Sequence, residues 1–252
     1  MSEVLTDEQD GVLVITINRP EAKNAVNKAV AEGVRAAMQR LDDDNGLNAG
    51  IVTGAGGTFC SGMDLKAFLK GEVPFVKDYG FAGFVQQPPE KPLIAAVEGY
   101  ALAGGMEVAI ACDLCVANAK AQFGIPEVKR SLVAAAGGLL TLPSIIGKRM
   151  AMELALTGDF IDARRAYEVG FVNHVTEGAA IDAAMELAAR VAANGPLALK
   201  ATKRIINERP DWTSDEMWDK QAAITNPVFA SEDSKEGARA FAEKRKPNWQ
   251  GK

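Results

Sequence analysis

The stretch Val97-Glu98-Gly99-Tyr100-Ala101-Leu102-Ala103-Gly104-Gly105-Met106-Glu107 constrains the chain more than any other. Residues 93–97 form an apolar run of strand length, and residues 106–112 continue as a mostly apolar helical run. A turn of small residues therefore joins a buried strand to a helix. Gly104 and Gly105 fall at the helix start, where backbone N–H groups have no intrahelical partner. With no Cβ there, a ligand atom can approach the main chain. The free N–H groups and the helix dipole favour negative charge. Glu107, three residues beyond Gly104, lies one turn along on the same side. An anion-stabilising donor and a carboxylate then face one space, which is what carbonyl activation with proton transfer beside it requires. Glycine pairs also serve as plain packing devices, and an acid in a first turn is favourable in itself. A second donor and a second acid decide between these readings.

The second donor candidate is Ser61-Gly62-Met63-Asp64, another glycine-containing turn after a strand and before a helix. It makes the Met63 N–H a partner for that of Gly104. The second acid is Glu127, after Pro126 at what reads as a helix start with proline in first position. Other chemistries fail on their own motifs. Residues 58–62 do not form G-x-S-x-G, and the single histidine, His174, sits in a strand-like run, which argues against a Ser-His-Asp triad. Gly147-Lys148 is followed by Arg149, which breaks the P-loop pattern, and no G-x-G-x-x-G opens a helix after a strand. Cys112 and Cys115 form a lone C-x-x-C with no second pair or histidine cluster, so they read as small core residues, and no metal site is expected.

The 252 residues suit one large domain or a domain with an appendage, and 48% hydrophobic with 24% charged residues is ordinary for a globular chain. A net charge of -5 argues against a nucleic-acid partner, and no run is long and apolar enough to span a bilayer. The acidic start lacks the features of a secretory or transit segment, and three cysteines fit a reducing compartment, so a cytoplasmic location is expected. Residues 12–18 alternate as a strand, 26–41 form an amphipathic helix, and 49–53 form a short strand. Residues 70–92 lack clean periodicity and are expected to be mobile. From residue 137 the pattern is mostly helical, with one strand at 171–175 and longer helices at 181–193, 197–207, 214–225 and 231–244.

The chain resembles the crotonase superfamily, the enoyl-CoA hydratase/isomerase family, over its full length. The resemblance rests on Asn18-Arg19-Pro20 with Asn24-Ala25, Phe59-Cys60-Ser61-Gly62-Met63-Asp64-Leu65, Gly99-Tyr100-Ala101 through Glu107, and Phe123-Gly124-Ile125-Pro126-Glu127. Gly137-Gly138, Leu156-Thr157-Gly158, and Glu243-Lys244-Arg245 with Pro247 follow in register. It implies an α/β fold, a crotonase-type spiral of repeated strand–strand–helix units over residues 1–195, with a helical C-terminal trimerisation region over 196–252. It implies an oxyanion hole at the N–H groups of Met63 and Gly104, and catalysis by Glu107 (mainly on water) and Glu127 (on the C2 proton). Substrate contacts are implied at Ala22, Asn24, Met63, Asp64, Leu65, Lys66 and Gly104, with Lys23 and Lys66 as candidates for the CoA phosphates.

The function implied is that of an enoyl-CoA hydratase-type lyase acting on an acyl-CoA thioester, with no metal or cofactor beyond the CoA of the substrate, no nucleic-acid or membrane partner, and a homotrimer or hexamer as the assembly. An isomerase of Δ3,Δ2-enoyl-CoA on the same oxyanion hole is the enzymatic alternative, and a non-catalytic acyl-CoA or RNA-binding homologue the other. The chain departs from the family at Ala134-Ala135-Ala136-Gly137-Gly138. The usual run is Pro-Gly-Ala-Gly-Gly, so Ala135 replaces a glycine whose backbone helps place the water. The acyl pocket, expected along residues 70–92, would then suit a bulkier substrate.

Overall fold

The computed structural model describes residues 2–252. The alternating run becomes β2 (Val12–Ile17), paired antiparallel with the polar, exposed edge strand β1 (Val4–Gln9). The amphipathic segment becomes α1 (Lys28–Asp43). The Asn27 side chain caps it by accepting the Val30 N–H at 2.9 Å, and Val30, Ala31, Val34, Ala37, Met38 and Leu41 form the buried stripe. The chain then returns through β3 (Ala49–Gly54), which runs parallel to β2.

Beyond the short helix α2 (Leu65–Leu69), two-residue strands β4 (Phe75–Val76) and β5 (Gly80–Phe81) form a hairpin. Residues 70–92 were expected to be mobile. Instead Phe81, Ala82 and Phe84 are buried in the main core, and the Phe75 and Phe81 rings meet edge-on at 5.6 Å. The aromatic residues anchor a segment whose backbone is otherwise irregular.

The strands that follow alternate between two sheets. β6 (Leu93–Val97) lies in the large sheet, and β7 (Tyr100–Leu102), immediately after it, in a small one. Helix α3 (Gly104–Ile110) follows, with all seven residues buried. β8 (Leu114–Asn118) and β9 (Gln122–Gly124) repeat the step from large sheet to small. Pro126 precedes a 3-10 turn, Glu127–Arg130, rather than occupying its first helical position as expected. Next come α4 (Gly138–Ile146), α5 (Lys148–Thr157), β10 (Ile161–Asp162) and α6 (Ala163–Glu168). The strand expected at 171–175 is β11 (His174–Thr176), because Phe171 and Val172 are buried in the turn leaving α6.

The large sheet has the order β1-β2-β3-β6-β8-β11, parallel except at β1, and the small sheet the order β10-β9-β7. One core lies between the large sheet, α1, α3 and the small sheet. A second forms where α7 (Ala180–Ala192) lays Ala180, Ala184 and Ala188 on Val12, Ile51, Ile94 and Val116. Strands covered on both faces are apolar throughout, as β6 is. Helices α8 (Pro196–Glu208), α9 (Met217–Ala230) and α10 (Glu232–Glu243) complete the chain. α9 continues through Pro227, beyond the helix end expected at residue 225. The tail returns to the start of α8, where the Trp249 indole N–H donates to the Ala193 carbonyl at 2.9 Å.

Candidate active site

Two glycine turns meet where the small sheet hands over to α3. The Cys60 N–H donates to Tyr100 O at 2.9 Å and the Leu102 N–H to Cys60 O at 3.0 Å, so residues 60–63 run beside β7. Gly62, at φ +98°, turns that segment so closely against α3 that a Cβ on it would lie 3.0 Å from the Gly104 nitrogen. On either side of Met63, Gly62 O accepts from Val26 N at 2.8 Å and Asp64 N donates to Val26 O at 2.9 Å. The intervening Met63 N–H points away from that pairing and has no acceptor among the described residues. The Gly104 N–H is free for a different reason, being in the first turn of α3. Any Cβ on Gly104 would meet the Phe81 ring at 2.7 Å, and one on Gly105 the Cys60 carbonyl at 2.0 Å, which explains the glycine pair.

Glu107 stands one turn into α3 and is only 3% exposed. Its Oε1 accepts the N–H groups of Ala136 at 2.8 Å and Gly138 at 2.9 Å. Burial pushes its carboxyl above the usual range, and those two donors pull it partly back. Glu127 approaches from the 3-10 turn after Pro126, and its Oε2 is buried without a partner. Burial is the main cause that lifts its carboxyl to about 7; the charge of Glu107 adds to the rise, while its own N–H and Arg130 oppose it.

Met63, Gly104, Glu107 and Glu127 all line one cavity of about 570 Å³. Phe75, Phe81, Leu132, Val133 and Phe160 give it apolar walls, and Lys23 and Arg130 are its cations. Leu65 also reaches it, whereas Ala22, Asn24, Asp64 and Lys66 do not. Asn24 is fully buried and its amide is committed to the Arg19 N–H, Ala55 O and Thr58 O. The Asp64 carboxylate pairs with Arg19 at 3.0 Å and caps α2 through the N–H groups of Lys66 and Ala67. Lys66 is exposed on α2, and Ala22 ends the 3-10 turn Pro20–Ala22. Lys23 lies 5.4 Å above the Tyr100 ring. Ala135 lines the cavity without a left-handed φ, so the alanine sits there unstrained.

Sequence reasoning missed Arg130, Leu132, Val133, Phe160 and the backbone donors of Ala136 and Gly138. Only Arg130, three residues from Glu127, carried a spacing that could have pointed to it. Cys60, Cys112 and Cys115 are free thiols whose pKa values burial raises, and His174 is exposed on β11. Among the described residues no cluster of three His, Cys, Asp or Glu side chains gathers to hold a metal, and no helix is long and apolar enough to cross a membrane.

Two free backbone donors and two carboxyl groups with raised pKa, together in a largely apolar cavity, make a site that can stabilise an enolate oxygen and move protons beside it. The chain belongs to the enoyl-CoA hydratase/isomerase family, whose match covers residues 7–252. The crystal structure of enoyl-CoA hydratase EchA1 from Mycobacterium marinum is 58% identical to it, with a TM-score of 0.98 and 100% of both chains covered. Enoyl-CoA hydratase EchA19 of Mycobacterium tuberculosis is 41% identical over 258 residues, which are 99% of this chain and 97% of the relative. Carnitinyl-CoA dehydratase of Citrobacter koseri is 38% identical over 263 residues, covering 100% of both.

Proposed function

We propose that the protein is an enoyl-CoA hydratase-type lyase, adding water across the C2=C3 bond of an α,β-unsaturated acyl-CoA. The observation that carries this reading is the convergence of the Met63 and Gly104 N–H groups with Glu107 and Glu127 on one cavity. The thioester oxygen accepts from both donors. As water attacks C3, the C2=C3 electrons move toward that oxygen, and the two N–H groups stabilise the enolate; losing one such donor typically costs about 3 kcal/mol. Glu107, oriented by Ala136 and Gly138, holds the water and takes its proton. Glu127, whose raised pKa keeps it protonated up to about pH 7, gives its proton to C2 as the enolate collapses. The addition is redox-neutral and calls for no redox cofactor; CoA is part of the substrate. Free thiols fit a reducing cytoplasm.

The test is a pair of amide variants. Glu127→Gln and Glu107→Gln should each lower hydration by roughly 10²–10⁴-fold, read as loss of the conjugated-thioester absorbance, while CoA-thioester binding persists. A Glu107→Gln protein that shifts double bonds at the wild-type rate would make the enzyme an isomerase working through Glu127 alone.

A further inference from the structure

Behind the turn that presents the Met63 N–H stands a side-chain amide that does not line the cavity. Asn24 is fully buried. Its Oδ1 accepts the Arg19 N–H at 2.9 Å, and its Nδ2 donates to Ala55 O at 2.8 Å and Thr58 O at 2.5 Å. Both amide hydrogens and the amide oxygen are therefore spent on joining residues 19–26 to residues 54–58. Among the described residues, no other hydrogen bond links these two segments. The backbone on each side suits the amide. Lys23 and Asn24 hold left-handed φ values of 50° and 55°, a conformation that asparagine tolerates better than most side chains. A Cβ on Gly54 would lie 2.2 Å from the Thr58 and Phe59 carbonyls and 2.6 Å from Asn24 Nδ2, so only glycine leaves room there.

Both segments lead directly to the donor. From Thr58 the chain runs on into the strip beside β7, where the Phe59 N–H donates to Glu98 O at 2.7 Å and the Cys60 N–H to Tyr100 O at 2.9 Å. The opposite edge of the same strip rests on residues 23–26. The Ser61 N–H donates to Lys23 O at 3.1 Å, and Val26 pairs with Gly62 and Asp64 on either side of Met63. The direction of the Met63 N–H thus depends on how residues 23–26 sit relative to residues 58–60, and the Asn24 amide sets that relation. A water-excluded amide with all three bonds made holds its place firmly, because each bond lost leaves a buried polar group unpaired. Resting on the hydratase reading above, we propose that Asn24 is a positioning residue for the oxyanion hole, its amide aiming the Met63 N–H at the thioester oxygen.

Two variants test this. Asn24→Gly accepts the left-handed backbone and deletes the amide. Asn24→Asp keeps the size and the bond from the Arg19 N–H, but sets an oxygen against the Ala55 and Thr58 carbonyls. Each should lower kcat for hydration by roughly 10–10²-fold, the scale of a small misplacement transmitted to a reacting centre, while KM changes far less. The infrared C=O stretch of bound butanoyl-CoA, carrying carbon-13 at the thioester carbonyl, reads the donors without turnover. In the wild type the stretch should lie below its value in water, and in both variants it should move back toward that value. Leu41→Ala, a core truncation near the far end of α1, is the control for general destabilisation and should leave the stretch at its wild-type position. A wild-type stretch equal to that in water removes the oxyanion hole, and the proposal falls with the hydratase reading. A lowered wild-type stretch that the folded Asn24 variants retain, or that Leu41→Ala raises as much, overturns the positioning role and leaves the hydratase reading standing.

Discussion

Glu127 carries its burial cost in a form that can be titrated. Its carboxyl is raised from 4.5 to about 7, mainly by burial, so between those values the folded protein holds a proton that the unfolded chain has released. Stability from this group is therefore greatest below about pH 4.5 and declines as pH rises through about 7. The free-enzyme profile of kcat/KM should show an alkaline limb near pH 7, where Glu127, the acid proposed to serve C2, loses its proton. In Glu127→Gln, thermal unfolding should lose the corresponding fall in Tm between pH 5 and pH 8. Ala103 provides a second test at this scale. It holds φ 52° and ψ -129° immediately before Gly104, a conformation that suits glycine and strains alanine. Ala103→Gly should relieve about 1 kcal/mol, after the added entropy of the unfolded chain, and raise Tm by about 2–4 °C in a thermal melt.

Between elements, the Arg19–Asp64 pair links the segment before α1 to the turn that presents the Met63 N–H. Both side chains are 14% exposed, and Arg19 also donates to Ala25 O at 2.7 Å. Burial alone would raise the Asp64 carboxyl, but the Ala67 N–H and Arg19 outweigh it and hold it below its ordinary value. Its contribution to stability is thus present above the unfolded pKa and is lost as pH falls through the lower folded one. Asp64→Ala removes a helix cap and leaves a largely buried guanidinium with less to pair with, which should cost about 2–4 kcal/mol in denaturant unfolding. Its hydration rate should fall with kcat more than with KM, since the donor at Met63 shifts while the cavity walls stay.

This pair also marks what sequence could not reveal. A carboxylate next to a predicted donor reads as a substrate contact, and only its pairing with Arg19, 45 residues away, shows that it is spent within the fold. The turn into α3 was legible because a five-residue apolar strand and a glycine pair leave few alternatives. The β4–β5 hairpin was not, because two-residue strands have no period and Phe81 finds its place only against Gly104. The acids were legible as a pair through the family resemblance. The Ala136 and Gly138 N–H groups that orient Glu107 were not, since a backbone donor has no side-chain signature.

At the scale of the whole molecule, the C-terminal helices are the part least explained by one chain. No residue of α8 or α9 is buried, and the large apolar side chains Ile206, Trp218, Phe229 and Phe241 are 66–88% exposed. Isolated apolar residues on a surface are ordinary, but four on three consecutive helices, two of which bury no residue at all, form the kind of surface that marks an interaction site. Helices of this length depend on tertiary packing for most of their stability, so a face with no partner in the chain calls for one outside it. A second copy of the same chain supplies an equal surface, and closed rings are the ordinary result of such self-complementarity. The expected assembly is a homotrimer or a hexamer at micromolar protein, measured by sedimentation or light-scattering mass. Charging the face with Trp218→Asp and Phe229→Asp together should shift the mass toward the monomer and lower Tm, because neither side chain contributes to the core of the single chain. A wild type that stays strictly monomeric would remove this account of the C-terminal helices.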